Sequence, residues 1–123
     1  MKNNYKELIV WQKSVELAKE AYRITRLLPR EECYVLSEQM RRAAVSIPSN
    51  IAEGQSRNTK KDFINFLSIA KGSNAELETQ CILCVELGFV QQAEISKALL
   101  LSHEIGRMLT ALKKALSSSD QIL

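Results

Sequence analysis

Proline and glycine are scarce here, two and four in 123 residues. Both interrupt regular backbone, so their rarity leaves long stretches in which helix is the default. Long apolar runs are missing too: the longest are a few residues, and the opening Met1-Lys-Asn-Asn-Tyr-Lys-Glu7 has no apolar signal core. Neither a membrane span nor a secretory signal is read, and a cytoplasmic chain with no membrane partner is expected. Histidine occurs once, at His103, which gives no support to a Ser/His/Asp or Cys/His constellation. Three cysteines, an odd number without an export signal, predict reduced thiols. The stretch Gly54-Gln-Ser-Arg-Asn-Thr-Lys60 lacks the second glycine and the ending of a phosphate loop, and no Glu-x-x-His pair of the di-iron type occurs. No catalytic residue, metal site or cofactor is expected, and the chain reads as a non-enzyme.

What is present suits one domain, residues 1–123. A chain of this length buries roughly two-thirds of its unfolded surface, enough for a single core. Hydrophobic residues make up 46% and charged residues 25%, a globular balance. The net charge of +3 is uneven: residues 1–61 hold twelve Lys/Arg against seven Asp/Glu, and 62–123 hold five against seven. The N-terminal half therefore has the material for an electropositive face.

Four helices are predicted, at about 7–28, 32–54, 59–87 and 92–117. In the first, Leu8, Trp11, Val15, Ala18, Tyr22 and Thr25 keep helical spacing, and so does a second series, Val10, Ser14, Leu17, Ala21, Ile24 and Leu28, displaced by one residue. One face serves a bundle; the other is a candidate subunit interface. The second helix has Leu36, Met40, Ala44, Ile47 and Ile51 as its stripe, with Gly54 as a left-handed cap. Pro48 either kinks it, with Ser46 and Ser49 satisfying the freed backbone groups, or breaks it so that Ser49 starts a new turn. Thr59 with Asp62 marks the start of the third helix, which carries Phe63, Leu67, Ala70, Asn74, Leu77, Cys81 and Cys84 at heptad spacing. Gly72 in its middle suggests a close backbone approach. The fourth shows Ile95, Leu99, Ser102, Ile105, Leu109, Leu112 and Leu116, with Ser117 to Ser119 as a frayed tail. Short connections favour an all-α, antiparallel up-down-up-down four-helix bundle.

Cys81-Ile-Leu-Cys84 matches a C-x-x-C string but lies on an apolar helical face without a second ligand pair, so both read as small core residues. More distinctive is a polar stripe on the second helix, Gln39, Arg42, Ser46, Asn50 and Glu53, facing Gly72, Ser73 and Glu76 of the third. A buried or half-buried hydrogen-bond network is expected there, with Arg42 forking onto a carboxylate and the whole fixing helix register. Candidate nucleic-acid contacts form two groups: Lys19, Arg23, Arg26 and Arg30, then Arg41, Arg57, Lys60 and Lys61. Aromatic residues are not interleaved with them, so phosphate contact is read without base stacking.

Three blocks, Leu8-Ile-Val-Trp11-Gln-Lys, Ser37 to Gly54 and Ala70 to Thr79, together resemble the bacterial four-helix-bundle family of proteins encoded in intervening sequences of large-subunit ribosomal RNA genes. A relative is the accessory variability determinant of diversity-generating retroelements. The resemblance implies a homopentameric ring, a basic surface and binding of RNA or DNA, without enzymatic activity. By position its polar signature falls on Gln39, Arg42, Asn50, Glu53, Gly72, Ser73 and Glu76. The expected function is a nucleic-acid-binding accessory protein partnered with itself and with RNA or DNA; the alternative is a scaffold for a protein partner.

Overall fold

The computed structural model describes residues 4–122, with side chains described through Ser118. Four helices account for most of it: α1 (Ile9–Thr25), α2 (Leu36–Gln55), α3 (Lys60–Glu86) and α4 (Gln92–Ile122). No strand occurs among the described residues. Each helix packs on two others, α1 and α3 both touching α2 and α4, which makes a four-helix bundle. None of the described helices is long and apolar enough to cross a membrane.

The period-3.6 stripes supply the core. Leu17, Ile24, Met40, Ile47, Ile51, Leu67, Leu77, Ile105 and Leu109 are fully buried, and each such side chain contributes roughly 1.5–3 kcal/mol. On α1 the core face is Val10, Ser14, Leu17, Ala21 and Ile24. The neighbouring series is mixed: Leu8, Trp11 and Ala18 lie half-buried against the core, Thr25 is buried, Val15 is half-buried and Tyr22 is exposed.

Helix ends differ from the sequence reading at the first connection. Residues 26–28 close through i to i−3 bonds, Leu27 N–H to the Ile24 carbonyl and Leu28 N–H to Thr25. Pro29 is extended, φ −58° and ψ 151°, and a 3-10 turn at Arg30–Glu32 follows. So α1 stops three residues before Leu28 and α2 begins four residues after Glu32. At α3 the expected cap is present: Thr59 Oγ1 accepts from the Asp62 N–H at 3.1 Å. The serine tail does not end α4, which continues through Ile122; serine lowers helix propensity by only a few tenths of a kcal/mol, too little to stop a helix already propagating.

Pro48 sits inside an unbroken α2, so the broken-helix alternative fails. Neither serine caps the freed Ala44 carbonyl among the described residues. Ser46 instead bonds Ser73 and Asn50, and Ser49 is exposed. Neither of the two glycines singled out has its expected role. Gly54 does not take the left-handed conformation; among the described residues Gly88, φ 80°, is the only glycine that does. A Cβ on Gly54 would lie 2.7 Å from Phe66 Cβ and 2.9 Å from Phe63 Cδ1, so α3 crosses there. Gly72 has nothing within 4 Å of an added Cβ, and nothing in the structure explains it.

Residue contacts along the seams fix the register. Gly54 near the end of α2 meets the first turns of α3, Ser46 meets Ser73 and Met40 near the start of α2 meets Cys84. Between α1 and α4, Lys13 pairs with Glu104 at 3.1 Å and Arg23 with Glu94 at 3.0 Å.

Candidate nucleic-acid interface

The polar stripe on α2 does not form one buried network. Ser46 Oγ lies 2.8 Å from Ser73 Oγ, and Asn50 Nδ2 donates to the Ser46 carbonyl at 2.8 Å and to its Oγ at 2.9 Å. This half-buried trio joins α2 to α3. The larger polar groups stay at the surface. Arg42, its side chain 79% exposed, pairs with Glu38 of its own helix at 3.2 Å and does not fork onto an α3 carboxylate. Glu53 pairs with Arg57 at 2.8 Å, while Gln39 and Glu76 are exposed. Gln39, Arg42, Ser46, Ser73 and Glu76 border one groove of about 360 Å³. Spacing placed these residues on a common seam, but burying an ion pair carries a desolvation penalty of several kcal/mol per ion, and the charges remain in water.

A fully buried polar pair lies on the other side of α3. Asn74 Nδ2 donates to the Ser102 carbonyl at 2.9 Å, and Ser102 Oγ donates to Asn74 Oδ1 at 3.0 Å. Both residues stood on the apolar stripes of the sequence, and two polar side chains at core positions of facing helices were the signal for it. Gln80 is also buried, 4% exposed, and its Oε1 has no partner among the described residues.

Burial pushes the Cys81 thiol up to about 12, with the Cys84 thiol adding to it. Cys84 is pushed to about 11, also mainly by burial. The C-x-x-C string lies in the core, so neither thiol offers a thiolate near neutral pH. Cys33 is exposed, and all three are unpaired. His103 Nε2 is 2.7 Å from Glu78 Oε2 on the surface. No group of three potential metal ligands occurs among the described residues.

The eight candidate cations separate by location and by partner. Lys19 and Arg26 border a groove of about 430 Å³ with Val15, Ala18 and Tyr22. Neither has an ion-pair partner among the described residues. Arg23 is held in place: its guanidinium reaches Glu20 and Glu94 at 3.0 Å, and hydrogen bonds to Glu20 first, then Glu94, raise its already high pKa. Arg30 is exposed in the 3-10 turn, and Arg41 Nη2 donates to the Cys33 carbonyl at 3.3 Å. Arg57, besides its pair with Glu53, stacks over the Phe66 ring at 4.8 Å. Lys60 is half-buried and Lys61 exposed at the start of α3. Arg41 and Arg57 are sixteen positions apart on and just past α2, about 24 Å along the axis. The second group is therefore split between the two ends of α2.

Two features were missed. Tyr22 stands between the Lys19 and Arg26 groove and a second of about 480 Å³ bordered by Arg41, Arg42 and Val45, so an aromatic is interleaved with cations after all. The signal was the i, i+3, i+7 spacing of Lys19, Tyr22 and Arg26 on one helix. A further groove of about 600 Å³ between α3 and α4 has Lys71, Arg107 and Lys114 on its borders.

Among curated proteins none matches the chain. One solved structure similar to it is a protein of unknown function from the S23 ribosomal protein family of Bacteroides thetaiotaomicron. The identity is 29%, with 86% of this chain and 99% of that one covered and a TM-score of 0.79. Residues 6–111 match the model of the 23S rRNA-intervening sequence proteins. A match over most of the length, with the fold in agreement, places the chain in that family: it belongs to the 23S rRNA-intervening sequence protein family.

Proposed function

We propose that this chain is a non-enzymatic accessory protein that binds nucleic acid, RNA or DNA, through a basic surface of an antiparallel up-down-up-down bundle assembled as a homo-oligomer, pentameric by resemblance. The observation that carries the binding is the α1–α2 face, where Lys19 and Arg26 have no ion-pair partner among the described residues and Arg41 borders the adjoining groove. Cations of this kind displace condensed counterions from phosphates, a sequence-independent source of affinity. Cross-helix register, with Met40 against Cys84 and Gly54 against Phe63, supports the antiparallel order. Exposed Ile9, Val45, Ile69 and Leu100 support assembly, and burial of the Cys81 and Cys84 thiols speaks against a nucleophile at either position.

The test is binding of a structured RNA across a salt series. Affinity should fall steeply between 50 and 200 mM salt, and Lys19→Gln with Arg26→Gln should reduce the slope of log affinity against log salt by about 2. No binding at low salt sinks the proposal, and a monomer by light scattering sinks its oligomeric part. A protein scaffold is the second reading, favoured by Leu27, Tyr34, Val35 and Leu87, which are exposed around the connections next to α1 and α3, Tyr34 by 86%. Recovery of one defined protein partner after nuclease treatment would favour it.

A further inference from the structure

We infer that the α1–α2 face binds unpaired nucleotides, with one base stacked on the Tyr22 ring and the flanking phosphates held by Lys19 and Arg26. This rests on the nucleic-acid reading above and adds the form of the ligand. Tyr22 is 37% exposed, the middle residue of the Lys19–Tyr22–Arg26 row on one face of α1. Grooves of about 430 and 480 Å³ adjoin it on the two sides. Those spaces are in the range that takes a nucleotide-sized ligand.

An aromatic bracketed by cations recognises a base and its backbone together, and every base has a face to offer, so the contact tolerates any sequence. A duplex keeps its bases stacked on one another and offers backbone and groove edges but no open base face, which would leave the ring without a stacking partner. Charge on this face is complementary to one strand. Glu38 is the acidic residue on the groove border and is occupied by Arg42 at 3.2 Å, while Arg41 is tied to the Cys33 carbonyl. Lys19 and Arg26 are left to meet the phosphates. The α3–α4 groove also has Lys71, Arg107 and Lys114 on its border, but the ring there, His103, is engaged by Glu78 at 2.7 Å, which sets a carboxylate where a phosphate would have to lie.

The experiment is fluorescence anisotropy at low salt with a labelled single-stranded 12-mer and a blunt duplex of the same length. The proteins are the wild type, Tyr22→Leu, Tyr22→Phe and Lys19→Gln/Arg26→Gln. Tyr22→Leu keeps an apolar side chain against the helix, and its melting temperature checks folding. The single strand should bind more tightly than the duplex to the wild type, a comparison that needs no variant. Tyr22→Leu should weaken single-strand binding by roughly 5- to 150-fold, the range for one lost base–aromatic stack. It should leave duplex binding within about twofold, and Tyr22→Phe should bind the single strand more tightly than Tyr22→Leu. Equal affinity for strand and duplex, or an unchanged Tyr22→Leu, overturns the stacking inference and leaves the nucleic-acid reading standing. Failure of the wild type to bind either probe overturns that reading as well.

Discussion

The two seams of α3 solve the same packing problem in opposite ways. Against α4, the contact holds a closed polar pair, Asn74 and Ser102, both buried and each satisfying the other. Against α2, the polar pair Ser46 and Ser73 is half-buried, and closeness is concentrated at the Gly54 end, where Phe63 and Phe66 lie against bare backbone. The first seam is specified by hydrogen-bond direction, the second by the absence of a side chain. A buried pair fails when one partner is lost, because the other is left unsatisfied in a medium with no water to replace it. A half-buried pair has water as a substitute.

That difference predicts an order of effects. Asn74→Ala should cost roughly 2–4 kcal/mol, read by urea denaturation, since it takes the buried Ser102 hydroxyl's acceptor, removes the extra bond to the Ser102 carbonyl and opens a void. A double-mutant cycle with Ser102→Ala should show strong coupling, and additivity would break the account of the α3–α4 seam. Gly54→Ala should cost about 1–3 kcal/mol despite alanine's better helix propensity, because the new methyl meets Phe66 Cβ. An increase in stability there would show that α3 can yield. Gln80 shares the α2-facing side of α3 with Ser73, Leu77 and Cys84, being seven, three and four positions from them. Gln80→Leu should stabilise by about 1 kcal/mol, removing an acceptor with no partner; destabilisation would mean that the amide is satisfied by water. Smallest is Ser46→Ala, about 0.5 kcal/mol, and a loss as large as that of Asn74→Ala would erase the contrast between the seams.

All four helices were legible in the sequence, because stripes at 3.6 spacing report which residues share a face. Depth was not. The Gln39, Arg42 and Glu53 row and the Asn74 and Ser102 positions have the same periodicity, yet the former lies at the surface and the latter in the core. Periodicity gives an azimuth around a helix, and only the partner helix decides how far that azimuth is from water. The glycines misled for a related reason: the sequence pattern marks Gly54 as a helix end and Gly72 as a crossing point, and which of them meets a neighbouring helix depends on how α2 and α3 cross. At the candidate site, spacing placed Lys19, Arg23 and Arg26 along one side of α1, but the sequence could not say that Arg23 is taken up by Glu20 and Glu94 or that Tyr22 joins grooves from two helices.

The α1–α4 contact differs from the other three in where its halves lie along the chain. Connections of four residues (56–59) and five (87–91) let α2 meet α3, and α3 meet α4, as soon as each is made. α1 must wait for a partner that begins at Gln92. At ordinary synthesis rates the 31 residues of α4 take about 2–6 s to be added. During that interval Asn74 and the apolar faces of α1 and α3 stand open to water, so the arrival of the last helix sets the time at which a nascent chain stops being prone to aggregate.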